Sequence, residues 1–125
     1  MTRNQFEEFK KRREEGNARV LDTDHVGIKR FFRLDVDAFT DRTGDGGLDR
    51  PTKALLGLVA SAVLRCDDCV DFHLWECIEL DLSPGEIEDA LNVALVVGGS
   101  IVIPHLRHAR LTLDQLTEDT NNANA

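Results

Sequence analysis

Residues 66–73 read CDDCVDFH: two cysteines with two residues between them, then a histidine four places after the second. Sulfur attacks and is attacked as a thiolate, so these residue types ask for a helix N-terminus or a base close by. On one helix at about 100° per residue, Cys66, Cys69, His73, Cys77 and Leu80 fall along one stripe, expected to face the core. Cys66 at the helix start meets free amide hydrogens and the positive end of the helix dipole, both of which favour a thiolate. Cys69 can approach Cys66 closely enough for a disulfide, and His73, at i+4, can take the proton of Cys69. A redox dithiol with Cys66, Cys69 and His73 as catalytic residues is the leading reading. A metal site would need further ligands, for which His105 and His108 are the candidates. They stand i, i+3 on an apolar helix; His108 is expected to face solvent and His105 to be an ordinary hydrogen-bonded histidine, so no metal and no cofactor is expected. His25 has no partner in the sequence. Cys77, deep in the helix, reads as core packing.

The elements that must carry this stretch are all helical. Residues 3–20 form a charged amphipathic pattern whose apolar contacts are Phe6, Phe9, Val20 and Leu21. A short helix is expected over 25–34. The glycines and aspartates of 41–51 mark a loop; its spacing faintly resembles a calcium loop, but the closing bidentate position is Thr52, and a solvated turn is the better reading. Asp49 before Pro51 caps the next helix, which is apolar almost all round and so the most central one. It ends near Arg65, and Asp67 or Asp68 opens the cysteine helix. Ser83, Pro84 and Glu86 form a capping-box signature for a helix that runs to Gly98-Gly99. The last helix tolerates Pro104 in its first turn, and the polar tail is expected to fray from about 117. The expectation is one all-α domain over 1–125 with about five to six helices.

At 125 residues, 42% hydrophobic and 30% charged, the chain has globular composition and room for a single core. Six Phe, one Trp and no Tyr leave that core to Leu, Val, Ile and Ala. A formal net charge of -8 argues against nucleic acid and anionic membranes as partners. The longest apolar runs fall short of the roughly 20 residues a spanning helix needs, and the charged start lacks a secretory pattern. A cytoplasmic location is expected, where cysteines stay reduced and a close pair reads as redox or metal chemistry.

The order of these features, TKALLGLVASAVLRCDDCVDFHLWECIELDLSPGEIEDALNVALVVGG, resembles the carboxymuconolactone decarboxylase superfamily, and within it the AhpD-like (alkylhydroperoxidase D-like) branch marked by CxxC. The resemblance covers residues 50–110. It implies an AhpD-like helical fold assembling as a homo-trimer or homo-hexamer. It also implies reduction of hydroperoxides or exchange of disulfides through Cys66 and Cys69, reset by a thiol reductant that the sequence does not identify. Cys69 matches the cysteine activated by His73, and Cys66 its disulfide partner. Two positions depart from the family pattern: Ala54 stands where its relay has a Glu, and Asp68 where the prototype has a His. Glu76 or Glu79 would replace that carboxylate only if the fold turned one inward, and both are expected at the surface. The alternatives are a carboxymuconolactone decarboxylase-type lyase using His73 as acid and base, against which CxxC counts, and a non-enzymatic oligomeric redox sensor.

Overall fold

The computed structural model describes the backbone of residues 3–124 and the side chains of residues 5–118. It contains six α-helices, and among the described residues no strand: α1 (Arg3–Leu21), α2 (Val26–Ala38), α3 (Arg50–Val63), α4 (Asp67–Glu79), α5 (Pro84–Gly98) and α6 (Ile103–Asn124). The helix starts follow the capping chemistry of the sequence. Asp49 accepts the amide of Thr52 ahead of α3, with Pro51 in the first turn. Ser83 and Glu86 form a reciprocal capping box on α5. His25 caps α2 by accepting the amide of Ile28, which gives it the partner the sequence had not revealed.

The central helix is α3, packed on α4 and α5, while α6 closes over α4 and α5. Leu58, Val70, Leu74, Cys77, Ile87, Val102 and Leu113 fill the space between these helices, and Phe6 of α1 plugs one side. Apart from Leu58, the inner face of α3 is small (Ala54, Gly57, Ser61, Ala62), which lets α4 approach closely. Its opposite face, expected to be covered, leaves Leu56 exposed, and the C-cap Leu64 is exposed as well.

Two expectations are corrected. Helix α2 runs four residues beyond 34, to Ala38, yet none of its residues is buried. Val20 and Leu21 of α1 are exposed, so only Phe6 and Phe9 anchor that helix. Helix α6 continues past 117 to Asn124, a stretch that contains no Gly or Pro to stop it. No helix among the described residues is long and apolar enough to cross a membrane.

Candidate functional site

The joint between α3 and α4 sets the position of the cysteines. After the C-cap Leu64, Arg65 takes a left-handed conformation (φ 62°). Its amide returns to the carbonyl of Ala62 at 3.1 Å, and that of Cys66 to Ser61 at 3.0 Å. This is the Schellman pattern with an arginine where glycine is usual. It turns the chain so that Cys66 becomes the N-cap of α4, and the Cys66 sulfur accepts the amide of Cys69 at 3.3 Å, the place a Ser or Asp oxygen ordinarily fills. Cys66 and Cys69 are joined by a disulfide, with Cα atoms 5.3 Å apart. Asp67 and Asp68 fill the first turn, where they favour the helix and oppose a thiolate.

The two sulfurs are not equivalent. Cys69 lines a cavity of about 310 Å³ between α1, α2, α3 and α4, which Cys66 does not line. Beside Cys69 in that cavity are His73, Phe72 and Glu76 of α4, Phe39 at the C-cap of α2 and Arg50 of α3. Arg13 of α1 lies over the Phe72 ring, 3.7 Å from its centroid, and forms part of the wall. The His73 ring is held on three sides. Phe39 faces it at 5.4 Å between centroids and 30° between planes, Phe72 meets it edge-on at 5.1 Å, and the backbone of α3 touches it at Gly57. A Cβ on Gly57 would lie 2.6 Å from His73 Cε1, so no other residue fits there without moving the ring.

Glu76 corrects the reading of the sequence. It is not at the surface: its side chain is 9% exposed, and its Oε1 accepts from His73 Nδ1 at 3.3 Å. Arg50 Nη2 donates to the other oxygen at 3.4 Å. The α3 face that carries Arg50 also carries Ala54, one turn later and fully buried. A carboxylate beside His73 therefore comes from α4 itself rather than from position 54. Glu79 is exposed, as expected.

Cys69 and His73 are half-buried on the cavity side of α4, Cys66 is half-buried at its N-cap, and the core-facing arc is Val70, Asp71, Leu74 and Cys77. Burial, with the neighbouring Glu76 charge adding to it, pushes the Cys77 thiol up to about 12. The histidines of α6 are taken up by carboxylates of α4, not by the cysteines. His105 Nδ1 donates to Asp67 at 2.8 Å, the ordinary hydrogen bond expected of it. His108 keeps about a third of its side chain in solvent (32% exposed), while its Nε2 donates to buried Asp71 at 2.8 Å, and Thr112 donates to the same oxygen at 2.9 Å. Burial drives the Asp71 carboxyl above the ordinary range, against the pull of His108 and the Thr112 hydroxyl. The sequence offered no signal for Asp71, since an aspartate midway along a helix is usually solvated.

A helical bundle that presents a CxxC pair at a helix start, with a histidine one turn on, defines a thiol-bearing class of all-α proteins. The profile of the carboxymuconolactone decarboxylase family matches residues 29–110, and the chain belongs to that family, with the CxxC pair of its AhpD-like members. It is similar to a carboxymuconolactone decarboxylase family protein of Thermotoga maritima for which involvement in the antioxidative response has been suggested. Identity is 47%, the TM-score is 0.86, and 94% of this chain and 97% of that one are covered. A second crystal structure from Thermotoga maritima agrees at 49% identity and TM-score 0.86, covering 92% of this chain and 97% of that one. A family member from Legionella pneumophila shares the fold at 24% identity and TM-score 0.74, covering 92% of this chain and 96% of that one. No curated protein matches the chain.

Proposed function

We propose that the protein is a thiol oxidoreductase that reduces hydroperoxides or exchanges disulfides through Cys66 and Cys69. The observation that carries this reading is the asymmetry of the pair, in which Cys69 alone opens into the cavity that also holds His73. In the reduced protein His73 draws the proton from Cys69. The thiolate attacks the distal oxygen of the hydroperoxide, the O–O bond breaks, and the alkoxide leaves and is protonated from His73. Cys69 is then a sulfenic acid. Cys66 attacks its sulfur, the S–O bond breaks, water departs and the disulfide forms. A thiol donor returns two electrons and two protons to close the cycle. With a disulfide as oxidant, the thiolate attacks sulfur instead and a thiol leaves. The antioxidative role suggested for the Thermotoga maritima relative supports the same chemistry.

The assembly we propose is a homo-trimer or homo-hexamer. Phe31, Leu34 and Val36 of α2 are each more than two-thirds exposed, and Val96, Val97 and Ile101 form a second apolar area near the start of α6. Faces this apolar are usually covered in solution. Sedimentation of the protein at micromolar concentration should give three or six copies, and a monomer would overturn this assembly.

Stopped-flow mixing of the reduced protein with an alkyl hydroperoxide tests the chemistry. Two thiols should disappear per peroxide, and Cys69→Ser should abolish the reaction. Protein cysteines that stay reduced with both hydroperoxides and small disulfides as oxidants, counted on the protein after the small thiols are removed, would refute the proposal.

A further inference from the structure

We propose that Glu76, braced by Arg50, is the positioning residue of His73: it holds the proton on Nδ1 and so presents a bare Nε2 to the cavity as the base for Cys69. The inference rests on the thiol reading above and concerns residues outside the Cys66, Cys69 and His73 set.

Three observations on the site carry it. First, Glu76 is a nearly buried carboxylate, and such a group is costly unless its oxygens are occupied. Both are occupied, one by His73 Nδ1 and the other by Arg50 Nη2. Second, His73 has no freedom to turn away. Phe39 and Phe72 bracket the ring, and the missing Cβ of Gly57 admits it on the α3 side. A ring so confined, with one nitrogen on a carboxylate, has its tautomer set by that contact. Third, Arg50 is a weak brace for a purely structural bridge. It is half-exposed and makes a single contact of 3.4 Å, while its guanidinium lines the cavity. An ion pair between α3 and α4 with that geometry adds little to stability. What it does supply is a positive group on the Glu76 oxygen that the imidazole does not use.

The proton path follows. The Cys69 S–H bond breaks, its proton moves to His73 Nε2, and the electron pair stays on sulfur. The imidazolium that results lies against the Glu76 carboxylate, so the charge-separated state is stabilised where it forms. When the alkoxide leaves the attacked hydroperoxide, Nε2 returns the proton to it and Nδ1 keeps its own throughout. This is the logic by which a carboxylate orients a histidine base toward a nucleophile, with sulfur as the nucleophile and the carboxylate one helical turn from the histidine.

The test combines kinetics with nitrogen-15 NMR of the imidazoles in the full-length protein. Glu76→Gln preserves shape and removes the charge. In the reduced protein it should lower the rate of hydroperoxide-dependent thiol oxidation on the order of 10²-fold at neutral pH, the lower end of what an oriented base contributes. It should also reduce the thiolate absorbance of Cys69 and move the pH profile of the rate. In a His73→Ala background the same substitution should change little, because the two groups act as one unit. Glu76→Asp, which restores the charge, should recover part of the rate. The native protein should show His73 as the Nδ1–H tautomer, and Glu76→Gln should show a mixture.

A Cys69-dependent wild type in which Glu76→Gln has no effect, or the same effect with and without His73, overturns the inference and leaves the thiol function standing. If the wild type consumes neither hydroperoxide nor disulfide, the functional reading fails and the tautomer decides the positioning role alone. If Glu76→Gln does not fold, the wild-type spectrum decides it, and a His73 carrying its proton on Nε2 overturns it.

Discussion

Replacing Gly57 with alanine adds one methyl group where α3 meets the His73 ring, and its consequences for activity and stability diverge. The new Cβ would stand 2.6 Å from His73 Cε1 and 2.8 Å from both ring nitrogens. Carbon atoms in contact prefer about 3.5 Å or more, so the ring must retreat by roughly 1 Å. Retreat is blocked by Phe39 and Phe72 and resisted by the bond to Glu76. Overpacking of this kind costs about 1–3 kcal/mol. Against it, alanine is better than glycine inside a helix by about 1 kcal/mol. The net loss of stability is then about 0–2 kcal/mol, within what a domain of this size tolerates. Activity has no such offset, because a displacement near 1 Å at a reacting group can cost about 10²-fold. Gly57→Ala should remain folded, with a thermal midpoint only a few degrees lower, and should lose about two orders of magnitude in peroxide-dependent thiol oxidation. Stopped-flow kinetics, thermal melts and the His73 ring resonances measure these three quantities. Wild-type rates together with displaced His73 resonances would refute the role given to His73, while wild-type rates with unmoved resonances would refute the packing argument itself.

Mild oxidation of the reduced protein should give the Cys66–Cys69 disulfide with Cys77 free, and peptide mapping that places Cys77 in the main disulfide would contradict the site. Arg65→Gly should stabilise the protein by about 1 kcal/mol in urea melts, since Arg65 holds a left-handed conformation that costs an L side chain about that much. Asp71→Asn should flatten the acid limb of the stability profile. Because burial raises the Asp71 carboxyl in the folded state, the native protein holds a proton that the unfolded chain has released, so this group's contribution falls as pH rises through the raised value. Urea melts at intervals from about pH 4 to neutrality should show that decline in the parent and lose it in the variant.

The parts of this structure legible in the sequence are those specified within a few neighbouring residues. Asp49 with Pro51, and Ser83 with Pro84 and Glu86, announce their helices because a cap is a local hydrogen bond. The cysteine pair is legible for the same reason, since one helical turn brings the two sulfurs together. Glu76 reads as a surface residue, and the carboxylate that holds His108 goes unseen, because each depends on a partner far away in sequence. Arg50 lies 26 residues before Glu76, and Asp71 lies 37 before His108. Taken alone, a charged or polar residue in a helix is better off in water, and only the packed fold brings the compensating group. The end of α2 is hard to place because Val36 continues its apolar pattern onto a surface that this single chain leaves uncovered. Arg65 in a glycine-like position was invisible, because nothing in its side chain foretells a left-handed backbone.

The buried third cysteine gives the chain a clock. With its thiol pushed up to about 12 and no exposed surface, Cys77 is closed to alkylating reagents while the helices stay packed. In Cys66→Ser/Cys69→Ser protein it would be the sole sulfhydryl, and its rate of labelling would equal the rate at which the core opens, once the reagent outpaces reclosing. Reagent concentration then separates two quantities without a denaturant: how often the bundle opens, and how large a fraction is open at equilibrium. With the CxxC pair replaced, no second sulfur obscures the signal, and the cysteine packed in the core can report when the fold gives way.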